Sequence, residues 1–240
     1  MKIMGNVSSF LKSIFLLAVL AFPSMAFAQE GGFYGSVDFS TKHLWRGIAS
    51  GDSPMVKPEV GFNKGNFDVY LWGACDFKDT YREVNIGVSY AFENLTLEFV
   101  DYIYPWSKDD ILKLGSNSTT HQMEVIATYE FEKLPVHVLV GSLVYGDDKN
   151  EKGNQAFSTY VEGGYTHEFN GKNTLAAVAG FSVGKGYYTD YTKSLYLVNF
   201  TAEYTRQFSV LNSEIPVTVS YTWNPYVKKS WVYATLGLSF

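Results

Sequence analysis

From Phe33 to Phe240 apolar and polar side chains take turns along the chain, in runs separated by short polar segments. A period of two places successive side chains on opposite faces of an extended backbone, so each run predicts a strand with one apolar face. The clearest runs are 67–77 and 83–92. In the first, Phe67, Val69, Leu71, Gly73, Cys75 and Phe77 oppose Asp68, Tyr70, Trp72, Ala74 and Asp76. In the second, Val84, Ile86, Val88, Tyr90 and Phe92 oppose Glu83, Asn85, Gly87 and Ser89. The same reading predicts strands over 33–46, 55–62, 95–104, 122–131, 135–145, 157–169, 174–183, 195–208, 215–223 and 231–240. Only 135–145 is too uniformly apolar for its faces to be assigned. The last run keeps its period to the end, with Val232, Ala234, Leu236, Leu238 and Phe240 on one face. Such a strand needs both edges covered, because an open apolar edge invites aggregation.

The connections alternate as well. "NKGN" at 63–66, Glu93-Asn94 and "NGKN" at 170–173 are tight antiparallel turns. The intervening connections are longer and polar: "GIASGDSP", "KDTYR", "SKDDILKLGSNSTT", "GDDKNEKGNQA", "GKGYYTDYT" and "NPYVKK". Short turns at one end and long loops at the other, with an even strand count, predict an all-β fold, a transmembrane antiparallel up-and-down β-barrel of twelve strands. A periplasmic β-sandwich would explain the strands but not the loop asymmetry. The requirement for closure comes from the solvent: in hydrocarbon each unpaired backbone group costs several kcal/mol, so a spanning sheet has no free edge. The first and last strands are therefore expected to pair. Phe240 also resembles the carboxy-terminal aromatic that outer-membrane barrel assembly machinery reads.

At the other end, Lys2 and Lys12 precede an apolar run over 14–22, and Ala26, Phe27 and Ala28 give small-x-small spacing. This predicts a secretory signal peptide over 1–28, cleaved to leave one barrel domain over 29–240, exported through the periplasm to the outer membrane of a Gram-negative bacterium. Cys75 is the sole cysteine, so no internal disulfide forms. Aromatic residues make up 17% of the chain, nearly matching its 18% of charged residues, which suits a lipid-facing barrel better than a soluble periplasmic domain. The net charge of −5 and the absence of any basic run exclude nucleic acid as a partner. Trp45, Tyr90, Phe92, Tyr104, Trp106, Phe131, Phe169, Trp223 and Trp231 fall near strand ends, where interfacial girdles sit.

The stretch "FSTKHLWRGIASGDSPMVKPEVGF" resembles the opening of the TorF family of porin-like proteins, in which a first strand enters an aromatic-Arg-Gly-Ile-Ser-like loop followed by an Asp and a Pro. The matching positions are Trp45, Arg46, Gly47, Ile48, Asp52 and Pro54, while Ala49 and Ser50 depart from the commonest form of the loop. "VYLWGACDF", "VNIGVSYAF" and "DYIYPW" continue the similarity, and "TYVEGGYTHEF" shares the strand rhythm of the later half. The resemblance implies the architecture and a porin activity. It brings no catalytic or binding residues.

If the apolar faces meet lipid, the alternate faces line a lumen. The candidates are Asp38, Arg46, Glu59, Asp68, Tyr70, Trp72, Asp76, Glu83, Asn85, Glu98, Tyr102, Glu124 and Glu162, together with Lys42, Lys57 and Glu203. Charge at lipid-facing midplane positions costs a few kcal/mol, which drives these groups inward. Twelve strands about 4.8 Å apart and tilted by about 40° enclose a backbone diameter of roughly 24 Å, and side chains reduce the open width to roughly 10 Å or less. Carboxylates outnumber cations in this set. The chain is thus expected to be a channel for passive passage of ions or small polar solutes that passes cations more readily than anions. The competing readings are charges that pair across a filled lumen, a non-conducting adhesin or structural barrel, and a lipid-modifying barrel enzyme.

The enzyme reading lacks its chemistry. None of His43, His121, His137 and His167 has a Ser two residues away or belongs to an Asp-x-His pair, and His43, Asp52 and Ser53 match a palmitoyl-transferring barrel in residue type alone. "GFSVGKG" lacks the spacer and hydroxyl residue of a phosphate loop. Asp109-Asp110 and Asp147-Asp148 read as solvated loop charges before they read as a Ca²⁺ or lipopolysaccharide-bridging site. No catalytic residue, metal or cofactor is expected. The expected partners are outer-membrane lipid and lipopolysaccharide, the barrel assembly machinery and small solutes.

Overall fold

The computed structural model describes residues 31–210 and 213–240. The expected signal peptide lies outside them. Among the described residues no helix is long and apolar enough to cross a membrane. Twelve strands close into one antiparallel barrel: β1 (Gly32–Ser40), β4 (Met55–Lys64), β5 (Phe67–Asp76), β6 (Arg82–Phe92), β7 (Leu95–Ile103), β8 (His121–Glu130), β9 (Val136–Gly146), β10 (Thr159–Phe169), β11 (Asn173–Val183), β12 (Leu195–Val210), β13 (Ser213–Asn224) and β14 (Lys229–Ser239). Each pairs with its neighbour in sequence, and β14 returns to β1.

That seam is what the apolar run to the last residue requires. Val37 stands opposite Leu238 and Phe39 opposite Leu236. Beyond the last strand residue, Gly35 and Phe240 exchange two backbone bonds, N–H to O at 3.0 Å in both directions. A Cβ on Gly35 would stand 2.6 Å from the Phe240 ring, so the ring lies flat over the glycine on the outer wall. Deleting Phe240 removes both bonds and this ring, whereas Phe240→Tyr keeps them. The expected outcome is that the deletion reduces the amount of heat-modifiable barrel recovered from membranes well below that of Phe240→Tyr. Equal recovery of the two variants contradicts the role given to this seam.

The predicted faces are realised along the strands. Outward residues form a broad exposed apolar belt that includes Phe33, Leu71, Ile86, Phe99, Val125, Leu175, Val219 and Val232. A patch of this extent on a water-soluble monomer would be exceptional, whereas it matches hydrocarbon. The inward face is polar, and several of its rings lie against the wall over a glycine of the next strand. Tyr70 covers Gly87, where a Cβ would stand 2.1 Å from the ring.

The tight turns, Gly31 and Phe240 occupy one end of the barrel. Segments 77–81, 104–120, 147–158, 184–194 and 225–228 crown the other. Within this loop end the structure departs from expectation. The predicted first strand over 33–46 stops at Ser40, and the chain then forms a separate hairpin of β2 (His43–Trp45) and β3 (Ile48–Ser50). This pair is not part of the barrel wall.

Candidate functional site

The β2–β3 hairpin is turned by two residues with positive φ, Arg46 at 50° and Gly47 at 80°, joining the paired Trp45 and Ile48. Two successive positive φ values define the tight primed turn of short hairpins. Its tip touches strands around most of the ring: His43 faces Glu83 and Trp72, Trp45 packs on Tyr102, Arg46 meets Glu124 and Tyr160, and Asn224 donates through Nδ2 to the Gly47 carbonyl at 3.1 Å. Only a segment inside the barrel can reach all of these. What the sequence presents as the end of a wall strand and an external loop is therefore an inserted element.

Arg46 anchors it. Its Nη1 donates to Glu124 Oε1 at 2.5 Å and to the Tyr188 hydroxyl at 2.6 Å. Tyr102 donates to the other carboxylate oxygen of Glu124 at 2.7 Å. The guanidinium carbon lies 4.8 Å from the Trp45 ring centre and 4.7 Å from that of Tyr160. The side chains of Arg46 and Glu124 are only 8% and 0% exposed. A buried ion pair persists where its charges are matched and its remaining hydrogen-bonding groups are satisfied, and planar cations favour aromatic faces.

Two irregularities in the wall fit this seat. The register of β8 on β9 shifts between Met123 and Glu124, and that of β11 on β12 shifts between Gly180 and Phe181, which leaves Val198 as the extra residue. Bulges re-aim side chains at functional sites. Val198 is fully buried in a cluster with Tyr160 and Tyr188, against which Trp45 and Ile48 also pack. A Cβ on Gly47 would stand 2.2 Å from the Val198 carbonyl oxygen, so both the turn and the close approach demand glycine. A second cluster of Val100, Tyr102, Ile126 and Leu143 fills the adjoining part of the interior.

Away from the hairpin the inner face is hydrophilic and rich in carboxylates. Asp38 lies opposite Lys57, with oxygen and nitrogen 3.8 Å apart. Tyr34 donates to Asp68 at 3.1 Å and Tyr70 to Glu98 at 2.6 Å, while Glu59 stands opposite Trp72. Ser220 donates to Glu203 at 2.8 Å. Glu162 accepts from Tyr160 and lies 3.4 Å from His137 Nε2.

Twelve of the thirteen residues singled out from sequence divide between two settings. Arg46, Tyr102 and Glu124 form the anchor, Trp72 and Glu83 flank it through His43, and Asn85 stands between Trp72 and Tyr102 in register. Asp38, Glu59, Asp68, Tyr70, Glu98 and Glu162 belong to the acidic zone. Asp76 is instead a loop pin: it accepts from Ser53 and Thr80 side chains and from the amides of Asp52, Thr80 and Tyr81. Trp45, Tyr104 and Trp231 are not girdle residues, because the first two pack inside the barrel and Trp231 lines the same inner cavity as Gly47 of the hairpin.

Of the paired loop aspartates, Asp109 and Asp147 are exposed, as expected of solvated loop charges, whereas their neighbours Asp110 and Asp148 are buried. Asp148 is fully buried and accepts from Ser158, Gln155 and Tyr191. Asp110 accepts from Lys113 and from the amides of Trp106 and Ser107, and the bond from Lys113 helps hold its carboxyl below the usual carboxylate range. Asp110 and Asp148 thus tie loops down rather than sit in solvent. A further pair escaped the sequence, since its members lie on adjacent strands: His121 Nδ1 is 2.8 Å from Asp101 Oδ2. Its Nε2 faces the Asp110 carbonyl at 3.2 Å, which leaves neither ring nitrogen for activating a nucleophile.

No family model matches the chain, and no curated protein is significantly similar to it in sequence. Among solved structures, NanC porin is similar at 14% identity over 86% of this chain and 98% of that one, with a TM-score of 0.47. A triple mutant of Rhodopseudomonas blastica porin is similar at 13% identity with a TM-score of 0.42, over 78% of this chain and 55% of that one. This chain thus spans about half the length of the latter. The closure of the barrel rests on its own register and not on these likenesses.

Proposed function

We propose that this protein is a porin-like channel of the bacterial outer membrane, narrowed by its inserted hairpin, that passes ions or small polar solutes and prefers cations. The observation that carries the reading is the acidic zone of the inner face. Asp38, Glu59, Asp68, Glu98, Glu162 and Glu203 line the wall there with Lys57 as the nearby ammonium. A closed barrel that only had to be filled would gain nothing from so many carboxylates, whereas a narrow path with low-dielectric walls concentrates cations next to fixed negative charge.

The remaining assignments belong to the same proposal. The apolar belt meets lipid, the long loops meet lipopolysaccharide, and the assembly machinery reads the strand that ends at Phe240. Residues 1–28 direct export. The resemblance of the first hairpin to the TorF family is consistent with this reading, since the shared Trp45, Arg46 and Gly47 are the residues that seat the constriction. The chain carries out no catalysis in this account. The test is the reversal potential of the purified protein in a planar bilayer across a KCl gradient. A potential on the K⁺ side is expected, and one on the Cl⁻ side overturns the assignment of the inner face.

A further inference from the structure

We propose that the loop over 106–120, between β7 and β8, is a lipid anchor. It folds outward over the barrel wall and sets Ile111, Leu112 and Leu114 among the acyl chains that surround the apolar belt. The inference deepens the membrane reading, on which it rests for the presence of lipid.

Strand register fixes the direction in which this loop folds. Val100 and Tyr102 pack in the interior, so Asp101 and Ile103, which alternate with them, point outward. Residues opposite each other on paired strands share a face. Met123, opposite Asp101, and His121, opposite Ile103, therefore lie on the outer wall, as does Tyr145, opposite Met123. These outward groups are the ones the loop reaches. His121 bridges the Asp101 carboxylate to the Asp110 carbonyl, and the Tyr145 hydroxyl donates to the Leu114 carbonyl at 2.5 Å. Ile103 is only 3% exposed although it faces outward, as a wall residue beneath a folded-back loop should be. Arg82, opposite Cys75 on the outer wall, sits with its guanidinium carbon 5.8 Å from the ring centre of Trp106.

The loop thus shields polar groups on a face that otherwise meets lipid, where charge is destabilising. Its own outer surface is apolar. Trp106, Ile111, Leu112 and Leu114 are all exposed, and Leu112, at 83%, is more so than Phe33 or Val232 of the belt. A loop made for water carries polar side chains, as 147–152 does with Asp147, Lys149, Asn150, Glu151 and Lys152. The apolar crest is instead continuous with the belt, because Tyr145, to which it is bonded, and Val125 are exposed on the same wall. Lys113 lies between Leu112 and Leu114 and turns its ammonium to Asp110, 3.1 Å away. A lysine whose charged end turns aside from its apolar neighbours, with a tryptophan close by, is the pattern of a segment at the boundary between headgroups and acyl chains.

The test places a nitroxide at residue 112 through Leu112→Cys, on a Cys75→Ala background, in vesicles of phosphatidylcholine and phosphatidylglycerol. Val125→Cys in the belt and Glu151→Cys in the polar loop supply the references, and heat-modifiable mobility on gels shows that each protein is folded. Power saturation then compares collisions with oxygen, which concentrates in lipid, and with a nickel chelate, which stays in water. The ratio of oxygen to nickel collisions at 112 should exceed that at 151 severalfold and approach that at 125. Adding Ile111→Ser and Leu114→Ser, which leave the Asp110 and Leu114 carbonyls in place, should bring the ratio at 112 back toward that at 151.

A label at 112 as open to nickel as that at 151 overturns the proposal, and so does a ratio unaffected by the two serines. A label screened from both agents and broadened by the label of a neighbouring molecule also overturns it, since a second copy of the chain then covers the crest. If the label at 125 lies in lipid and that at 112 in water, this inference fails and the channel stands. If both lie in water, the membrane reading fails with it.

Discussion

Arg46→Ala should destabilise the barrel more than any other single substitution in its interior. The change removes the counter-ion of Glu124, whose side chain is fully buried, and deletes the cation that Trp45 and Tyr160 enclose. Breaking a buried pair by removing one partner costs about 3–5 kcal/mol, because the remaining charge is stranded in a poor solvent. The midpoint of urea unfolding should fall accordingly, and residues 43–50 should become cleavable by protease from the loop end. Pairing Arg46→Met with Glu124→Gln leaves no stranded charge and should recover much of the loss. A midpoint for Arg46→Ala equal to that of the wild type would show that the ion pair does not hold the hairpin.

The second large effect concerns selectivity. Glu59→Gln, Asp68→Asn and Glu98→Gln together remove three charges from neighbouring strands without changing side-chain volume. Asp68 and Glu98 flank Ser89 in register, on either side of β6, so their fields add across one stretch of wall. The hydrogen bonds from Tyr34 and Tyr70 can be kept by the amide carbonyls, so the fold should survive. The ratio of K⁺ to Cl⁻ permeability should fall severalfold, and more at low salt, where screening is weak. A ratio identical to that of the wild type at low salt places these groups off the path.

The barrel was legible because two solvents write a simple code. Lipid outside and polar surroundings inside impose the alternation of Phe67, Val69 and Leu71 with Asp68, Tyr70 and Trp72, and turns such as Gly65-Asn66 punctuate it. The hairpin was not legible for the same reason. His43 to Trp45 continues an alternation begun in β1, and no local signal says that the chain has left the wall. Only Arg46-Gly47, which fit a tight turn, mark the reversal, and their place beside Glu124 is set by contacts remote in sequence. Aromatic residues misled in a related way: Trp45 and Tyr104 look like girdle residues because interface and interior use the same side chains. Val198 could not have been singled out, since a bulge adds one apolar residue to a strand and leaves the composition unchanged.

The most direct measurement compares single-channel conductance in planar bilayers for the wild type and for a variant in which residues 43–50 are replaced by a short glycine-serine linker. If the hairpin is the constriction of a polar, cation-preferring path, the wild type gives small or infrequent steps and the variant gives steps severalfold larger that still favour K⁺. Equal conductance in the two, or none in either from protein shown to be folded by its heat-modifiable mobility, contradicts the account.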